Sequence, residues 1–367
     1  MKREACCRLP YDTAYNSAKS SGWFNARTAK PKNNFEFYRQ RSVRRILLIN
    51  EGEKMEFPVQ LRNKINSLME SEDIRALAKS AETLSERYRD ERGDGKRSVS
   101  ERRDILAYAA VRMPATFAAV SRALELALEC FDGEIRSILD VGAGTGAGAI
   151  AAVLTTDCAD VKCVEREPNM IALGQDFFAC MDIQGKWIRH DISQGIPEKA
   201  DLVICSYCMN ELSAARRAIA VAELANAANK LLLIVEPGTP NAFSNIKQMR
   251  GQLAESGLTI AAPCPNTGDC PLPESDWCHF TARAARSRIH KQLKGADVPY
   301  EDEKFCFLAA ARENARPCTG RILRRPFIET GKITLTVCSE SAVSTRLVTK
   351  KDPRFKAARK SNTGDKF

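Results

Sequence analysis

The chain has 367 residues, a net charge of +10 and 44% hydrophobic residues, enough for one large domain with extensions or for two or three smaller units. Its sequence has no apolar run near the ~20 residues that span a bilayer, which argues against a membrane protein. Fourteen cysteines without a secretory signal argue against a disulfide scaffold and for a reducing compartment, here the cytoplasm.

Residues 1–54 are basic and poorly periodic, with Arg39, Arg41, Arg44 and Arg45 beside Ile46-Leu47-Leu48-Ile49. A disordered extension, a targeting segment and sequence upstream of the true start compete for this stretch. Met55 begins a well-patterned region and favours the last. Residues 55–132 read as helical: Leu61, Ile65 and Leu68, then Ile74, Leu77, Ala81 and Leu84, recur at helical spacing. A charged loop over 87–100 follows, then helices over 105–111 and 116–130, with Pro114 punctuating between them.

From 133 to 312 strands and helices alternate, the pattern of an α/β fold whose parallel sheet carries helices on both faces. Strands are expected at 135–141, 161–165, 186–189, 201–206, 231–236 and 258–262, and helices at 146–155, 169–181, 214–229 and 242–255. Ligands of such sheets sit beyond the carboxyl ends of the strands. That rule places Asp140, Glu165, Asp191 and residues 206–210 along one edge.

The stretch Ser137–Ala152 reads as strand, glycine turn and alanine-rich helix. Gly142, Gly144 and Gly146 allow backbone angles closed to other residues and a close ligand approach. The helix behind them aims free N–H groups and its positive dipole end at that ligand. Asp140 followed by Gly-x-Gly-x-Gly suits S-adenosylmethionine (SAM), although with Ala147 the stretch also fits the dinucleotide fingerprint. Glu165, about twenty residues on, can accept both ribose hydroxyls in either kind of site. Asp191, after the third strand, suits the adenine amino group of SAM and tips the balance to that cofactor. The cofactor set is therefore Asp140, Gly142, Gly144, Gly146, Glu165 and Asp191.

No catalytic residue is assigned. The fourth strand ends in Ser206-Tyr-Cys-Met-Asn-Glu211, without the Asn/Asp-Pro-Pro-aromatic tetrapeptide of amino-group methyltransferases. Cys205 and Cys208 lack the contexts of a carbon methyltransferase, and no general base stands out.

Residues 262–280 hold Cys264, Cys270 and Cys278 in a Cys-x5-Cys-x7-Cys loop broken by Pro263, Pro265, Gly268, Pro271 and Pro273. The loop has no apolar face of its own, and thiolates on a metal would organise it. The spacing is unlike the paired knuckles of structural zinc and closer to an iron–sulfur site, with zinc as the alternative. The fourth ligand is open among Cys338, Cys318, Cys306 and His279. Cys306 reads as a packed strand residue, and Cys338, ending a strand over 333–338 that can return to the loop, is chosen. Arg283, Arg286, Arg288, His290, Lys291 and Lys294 read as a basic helix, followed by a strand from 305. Residues 313–367 read as a small basic β extension that supplies the fourth cysteine. From 316 to 367 there are 13 Lys/Arg against 4 Asp/Glu, a balance that suits salt-dependent contact with phosphates.

Arg112-Met-Pro-Ala-Thr116, the glycine turn, Glu236-Pro-Gly-Thr-Pro240, the three-cysteine loop with Trp277-Cys-His-Phe280, Lys294-Gly295 and Tyr300-Glu-Asp-Glu-Lys304 resemble the Rsm22 family. These are methyltransferase-like proteins of the small ribosomal subunit in mitochondria and bacteria. The resemblance runs from about Met55 to the end of the chain. It implies a Rossmann-like SAM-dependent methyltransferase fold, binding near small-subunit rRNA during assembly, and a 4Fe–4S cluster. Its ligands carry over to Cys264, Cys270, Cys278 and Cys338. The expected protein is a SAM-binding, iron–sulfur-containing factor that docks on this rRNA, monomeric off the ribosome and without a membrane partner. It would reside in the cytoplasm, or in the mitochondrial matrix of a eukaryote. An active rRNA methyltransferase and a scaffold that binds no SAM are the alternatives.

Overall fold

The structure is a computed structural model that describes residues 56–89, 101–266 and 268–367. The expectations for residues 1–54, and most of the loop expected over 87–100, lie outside the described residues. Four helices open the described chain: α1 (Val59–Met69), α2 (Ile74–Arg89), α3 (Arg102–Val111) and α4 (Met113–Leu128). The periodic residues are the ones that pack, with Leu61, Ile65, Leu77, Ala81 and Leu84 all buried. Pro114 does not separate two helices by a loop. It lies in the first turn of α4, where its missing N–H has no helical partner to lose. No described helix is long and apolar enough to cross a membrane.

The α/β body follows as β1 (Ile138–Val141), α5 (Ala147–Thr156), β2 (Val161–Glu165), α6 (Pro168–Cys180), β3 (Gly185–Arg189), β4 (Ala200–Ser206), α7 (Ala214–Ala227), β5 (Ala228–Pro237), α8 (Pro240–Glu255), β6 (Thr259–Ala262), β7 (Phe280–Ala285), α9 (Arg288–Lys294) and β8 (Tyr300–Ala311). The sheet runs β3-β2-β1-β4-β5-β8-β6, with β7 on β8 as well. Strands β1 to β5 are parallel, while β8 lies antiparallel to β5, β6 and β7. This is a Rossmann-like α/β fold with a mixed rather than wholly parallel sheet. The central strands read as continuous apolar runs because both faces are covered. Ile138, Cys163, Leu202 and Leu231 enter one core layer, and Leu139, Val164, Val203 and Leu232 enter the other. Chain order reverses between β1 and β4, which makes their carboxyl ends the place where a ligand fits.

The expected basic helix from Arg283 is corrected. Residues 280–285 form β7, whose burial alternates strictly, and only Arg288–Lys294 is helical. Phe280, Ala282 and Ala284 fill the inward positions, and alanine gives little sign of strand in a sequence. Arg283 points outward and is held by Asp302 on β8, with Nε 2.7 Å from Oδ1. Strand β8 also begins at Tyr300 rather than at 305.

The C-terminal part is a separate four-stranded antiparallel sheet of β9 (Gly320–Ile322), β10 (Phe327–Glu329), β11 (Lys332–Ser339) and β12 (Val343–Thr349). Its inner face buries Ile322, Ile333, Leu335, Val337 and Val348 under Ala358 of α10 (Phe355–Lys360).

Glu236, near the end of β5, ties the sheet edge together. It is fully buried, and its Oε1 accepts from Cys208 N (3.1 Å) and Met209 N (2.7 Å) of the segment after β4. Two residues on, Gly238 lies so close to β8 that a Cβ would stand 2.8 Å from the Lys304 and Phe305 backbone. Its carbonyl accepts from Trp277 Nε1 at 2.9 Å. One strand end thus supports the loop after β4 and the cysteine loop.

Burial raises the Glu236 carboxyl to about 8, against the hydrogen bonds that favour its ionised form. The folded protein therefore holds a proton that the unfolded chain releases at ordinary carboxylate pH. The stability this gives is present below about pH 4.5 and is lost as pH rises through about 8. Melting curves between pH 5 and 9 should show it: Glu236→Gln, which keeps the oxygen acceptor, should flatten the fall in stability by on the order of a few kcal/mol.

Candidate functional site

The glycine turn has the geometry its sequence demands. Gly142, Gly144 and Gly146 take φ of +71°, +54° and +83°, where side chains are strained. At Gly146 a Cβ would also come within 2.9 Å of the Phe178 ring. Asp140 stands beneath the turn rather than at its mouth. It is sealed from solvent, and its Oδ2 accepts from Ala149 N at 2.7 Å, which pins β1 to the first turn of α5. The lack of a side chain at Gly148 permits this, since a Cβ there would stand 2.8 Å from Oδ2. Burial lifts the Asp140 carboxyl to about 7, and its buried Oδ1 has no hydrogen-bond partner.

Glu165 bridges the end of β2 to the turn. Its Oε2 accepts from Gly144 N (2.8 Å), and its Oε1 from Arg166 N (2.8 Å) and Glu167 N (2.9 Å). The chain leaving β3 is held beside it, with His190 N donating to Glu165 O at 3.1 Å. Asp191 comes next and caps the short turn Ile192–Gln194 through Ser193 N (2.9 Å), which holds its carboxyl below the usual range. The structure thus brings the glycine turn, Glu165 and Asp191 to one edge, with Asp140 supporting them from below.

The same edge holds groups that their sequence context does not single out. Burial lifts Glu211 to about 7, opposed by the charge of Arg166 and reinforced by that of Glu165. An isolated Glu in a sequence carries no mark of this, because the shift arises from what packs around it. Tyr207 has φ +55°, a conformation sparsely populated by residues other than glycine. Its hydroxyl donates to Glu303 Oε1 at 3.0 Å, and Arg112 pairs with the same oxygen at 3.1 Å. Two of the motifs that carried the family resemblance, Arg112–Thr116 and Tyr300–Lys304, are therefore bonded to each other. Tyr108 lies against the turn, its hydroxyl 3.5 Å from where a Gly144 Cβ would be. Cys205 is sealed within β4, and a hydrogen bond with Cys208 together with burial pushes its thiol well above its ordinary value. That is no setting for a nucleophilic thiolate.

A second site lies on the far side of Gly238. Cys264, Cys270 and Cys278 from the loop and Cys338 from β11 line one cavity with about 580 Å³ of empty space, part of it open to solvent. Burial, and then the charges of Cys264, Cys270 and Cys338, push the Cys278 thiol well up. Burial, then Cys264 and Cys270, raise Cys338 to about 12. Among the described residues, no three or more His, Cys, Asp or Glu side chains are arranged to hold a metal ion.

Two buried guanidiniums frame this cavity. Arg250 Nη2 donates to Asn266 O and Oδ1, both at 2.9 Å. Arg321 donates to Pro263 O at 3.1 Å and to Gly364 O at 2.7 Å. Arg324 pairs with Asp276 and donates to Trp277 O at 3.1 Å, so the C-terminal sheet is bolted to the cysteine loop. Of the other candidate ligands, Cys306 also borders the cavity, but its thiol donates to Pro237 O at 3.1 Å. Cys318 is hydrogen-bonded to Cys130, and His279 stacks on Trp277 with ring centroids 5.2 Å apart.

Comparison with known proteins adds the family. No curated protein matches the chain. A magnesium protoporphyrin IX methyltransferase from Synechocystis PCC 6803, solved with bound SAM, is 16% identical with a TM-score of 0.37, covering 71% of this chain and 100% of its own. The N-methyltransferase NodS from Bradyrhizobium japonicum WM9 is 13% identical with a TM-score of 0.34, covering 52% and 84%. The family profile described as mitochondrial small ribosomal subunit Rsm22 matches residues 102–367. Over that span, more than half of its length, the chain belongs to the Rsm22 family.

Proposed function

We propose that this protein is a SAM-binding, iron–sulfur-containing, methyltransferase-like factor that docks on the rRNA of the small ribosomal subunit and supports its assembly. The family match over residues 102–367 carries the ribosomal part of this reading. It supports a mitochondrial matrix location in a eukaryotic cell, and in a bacterium the protein would act in the cytoplasm.

The carboxyl edge supports SAM. The first N–H groups of α5 have no helical partner, and only that of Ala149 is taken by Asp140. The others, with the dipole, suit the carboxylate of the cofactor's amino-acid part. Glu165 already accepts three backbone N–H groups, and of its roughly four acceptor sites one remains, on Oε2 beside the turn. It therefore suits one ribose hydroxyl rather than the two expected from sequence. Bound SAM supplies an electrophilic methyl group at this edge.

The cysteine cavity supports a cluster over a single zinc ion. The Cys-x5-Cys-x7-Cys spacing lacks the paired knuckles of structural zinc. Four thiols spread around a shared cavity instead suit a ligand with several metal atoms, and Arg250 and Arg321 offset the charge of the thiolates. Cys264, Cys270, Cys278 and Cys338 would hold it. Such a cluster would join the α/β body to the C-terminal sheet.

One observation favours an active rRNA methyltransferase as a second reading. Glu211 titrates near neutrality at the cofactor edge, where a base is effective. In that reading its carboxylate takes the proton lost by the methyl acceptor.

Calorimetry should show SAM binding to the wild type and at least a tenfold loss in Glu165→Ala; no binding at millimolar SAM would favour the scaffold. Anaerobically purified protein should be brown and absorb near ~400 nm from iron–thiolate charge transfer. Cys270→Ser should bleach it and lower melting temperature and rRNA association together, whereas colourless protein with stoichiometric zinc would sink the cluster. Mass spectrometry of small-subunit rRNA from cells lacking the protein tests the second reading: a lost methyl group, restored by wild type and not by Glu211→Gln, is the expected sign, and an unchanged methylation map rejects it.

A further inference from the structure

The C-terminal sheet has an outer face that the proposed function does not yet use. Side chains alternate along β11, so Ile333, Leu335 and Val337 point to the inner core, and Lys332, Thr334, Thr336 and Cys338 point outward. The outer face is covered at one end, where Cys338 enters the cysteine cavity, and open at the other. The pairing register sets Phe327 of β10 opposite Thr334 of β11, and Thr334 opposite Leu347 of β12. Phe327, Thr334 and Leu347 therefore form one row across the open end. Phe327 is 63% exposed and Leu347 60% exposed. Thr336 and Thr345 form the next row toward the cavity, and Glu329, Lys332 and Thr349 the row beyond.

The charge around this row is positive. Arg325 precedes β10, and Lys350 and Lys351 follow β12, all exposed. Among the described residues none of these three has an acidic partner, whereas Lys332 is paired with Glu329 at 3.2 Å. The face thus offers an aromatic ring and an aliphatic side chain for flat apolar groups, hydroxyls from Thr334, Thr336 and Thr345, and unneutralised cations at the rim. A protein partner would need a broader apolar patch than two side chains. A duplex would hide its bases from Phe327. Unpaired bases on a phosphate backbone satisfy all three features at once.

We propose that the outer face of the β10–β11–β12 sheet is a platform for single-stranded RNA, with a base stacked on Phe327, Leu347 packed beside it, and Arg325, Lys350 and Lys351 on the flanking phosphates. This inference rests on the rRNA-docking reading and names the part of the RNA and the face that takes it. Because Cys338 continues the same face, the cysteine cavity would hold the platform in register with the α/β body.

Fluorescence anisotropy of the full chain with a labelled 12-nucleotide single-stranded RNA, and with its duplex, tests it. Phe327→Ala should weaken single-strand binding roughly tenfold, leave duplex binding unchanged, and leave the salt slope unchanged. Phe327→Tyr should retain binding, and an unchanged melting temperature for Phe327→Ala should exclude misfolding, since its ring is largely in solvent. Lys350→Ala with Lys351→Ala should flatten the slope of log affinity against log salt by roughly 0.7 for each phosphate that is no longer neutralised. Equal single-strand binding by wild type and Phe327→Ala would overturn the platform while leaving rRNA docking intact. A wild type that binds neither RNA form at low salt would overturn docking itself, and the platform with it. A wild-type dimer in sedimentation that Phe327→Ala dissociates would assign the face to a second copy and overturn the proposal.

Discussion

A carboxyl group sealed inside the protein organises this fold. Glu236 is sealed from solvent and makes no salt bridge among the described residues, so it is retained through the N–H groups of Cys208 and Met209. Removing an acceptor from buried donors typically costs about 1–3 kcal/mol. That constraint shapes the segment after β4, where Tyr207 adopts an unfavourable φ and turns its hydroxyl to Glu303. The Pro-Gly that follows Glu236 lets β8 and Trp277 approach the same strand end. The cofactor edge and the cysteine cavity are thus two sides of one support.

The cysteine loop depends on ties of this kind because it has no core of its own. Arg250, Arg321 and Arg324 reach it from α8, β9 and the chain that follows β9. Arg321 is fully buried, and a buried guanidinium without nearby negative charge is expensive. Glu129, 4.0 Å from its Nη1, provides that charge, and Cys130 Sγ accepts from Nη2 at 3.3 Å. Electrostatics therefore join the loop, the C-terminal sheet and the body, where hydrophobic area alone would hold them weakly.

Most of the sheet was legible because its central strands are buried on both faces and read as apolar runs between helical periods. The strand over 161–165 matches residue for residue. β7 was not legible, since Phe-Thr-Ala-Arg-Ala-Ala can serve helix or strand, and its pairing with β8 decided the matter. The glycine turn was legible because positive φ leaves few choices of residue. The task of Asp140 was not: sequence spacing set it by the turn, while packing turned its carboxylate under α5. Glu211 was invisible for a related reason, as its acidity is a property of its surroundings.

By itself the sequence determined the parallel part of the sheet, β1 to β5, the place of the glycine turn and the family, because these follow from hydrophobic period, backbone sterics and motifs local in the chain. It also picked out the cysteines by their spacing in a proline-rich loop. Tertiary structure decided which residues meet. It brought Cys338 to a loop sixty residues earlier, paired Arg112 with Glu303, and left Phe327 and Leu347 in one exposed row. Those outcomes depend on strand register and on burial, and both are set by contacts between segments far apart in the chain.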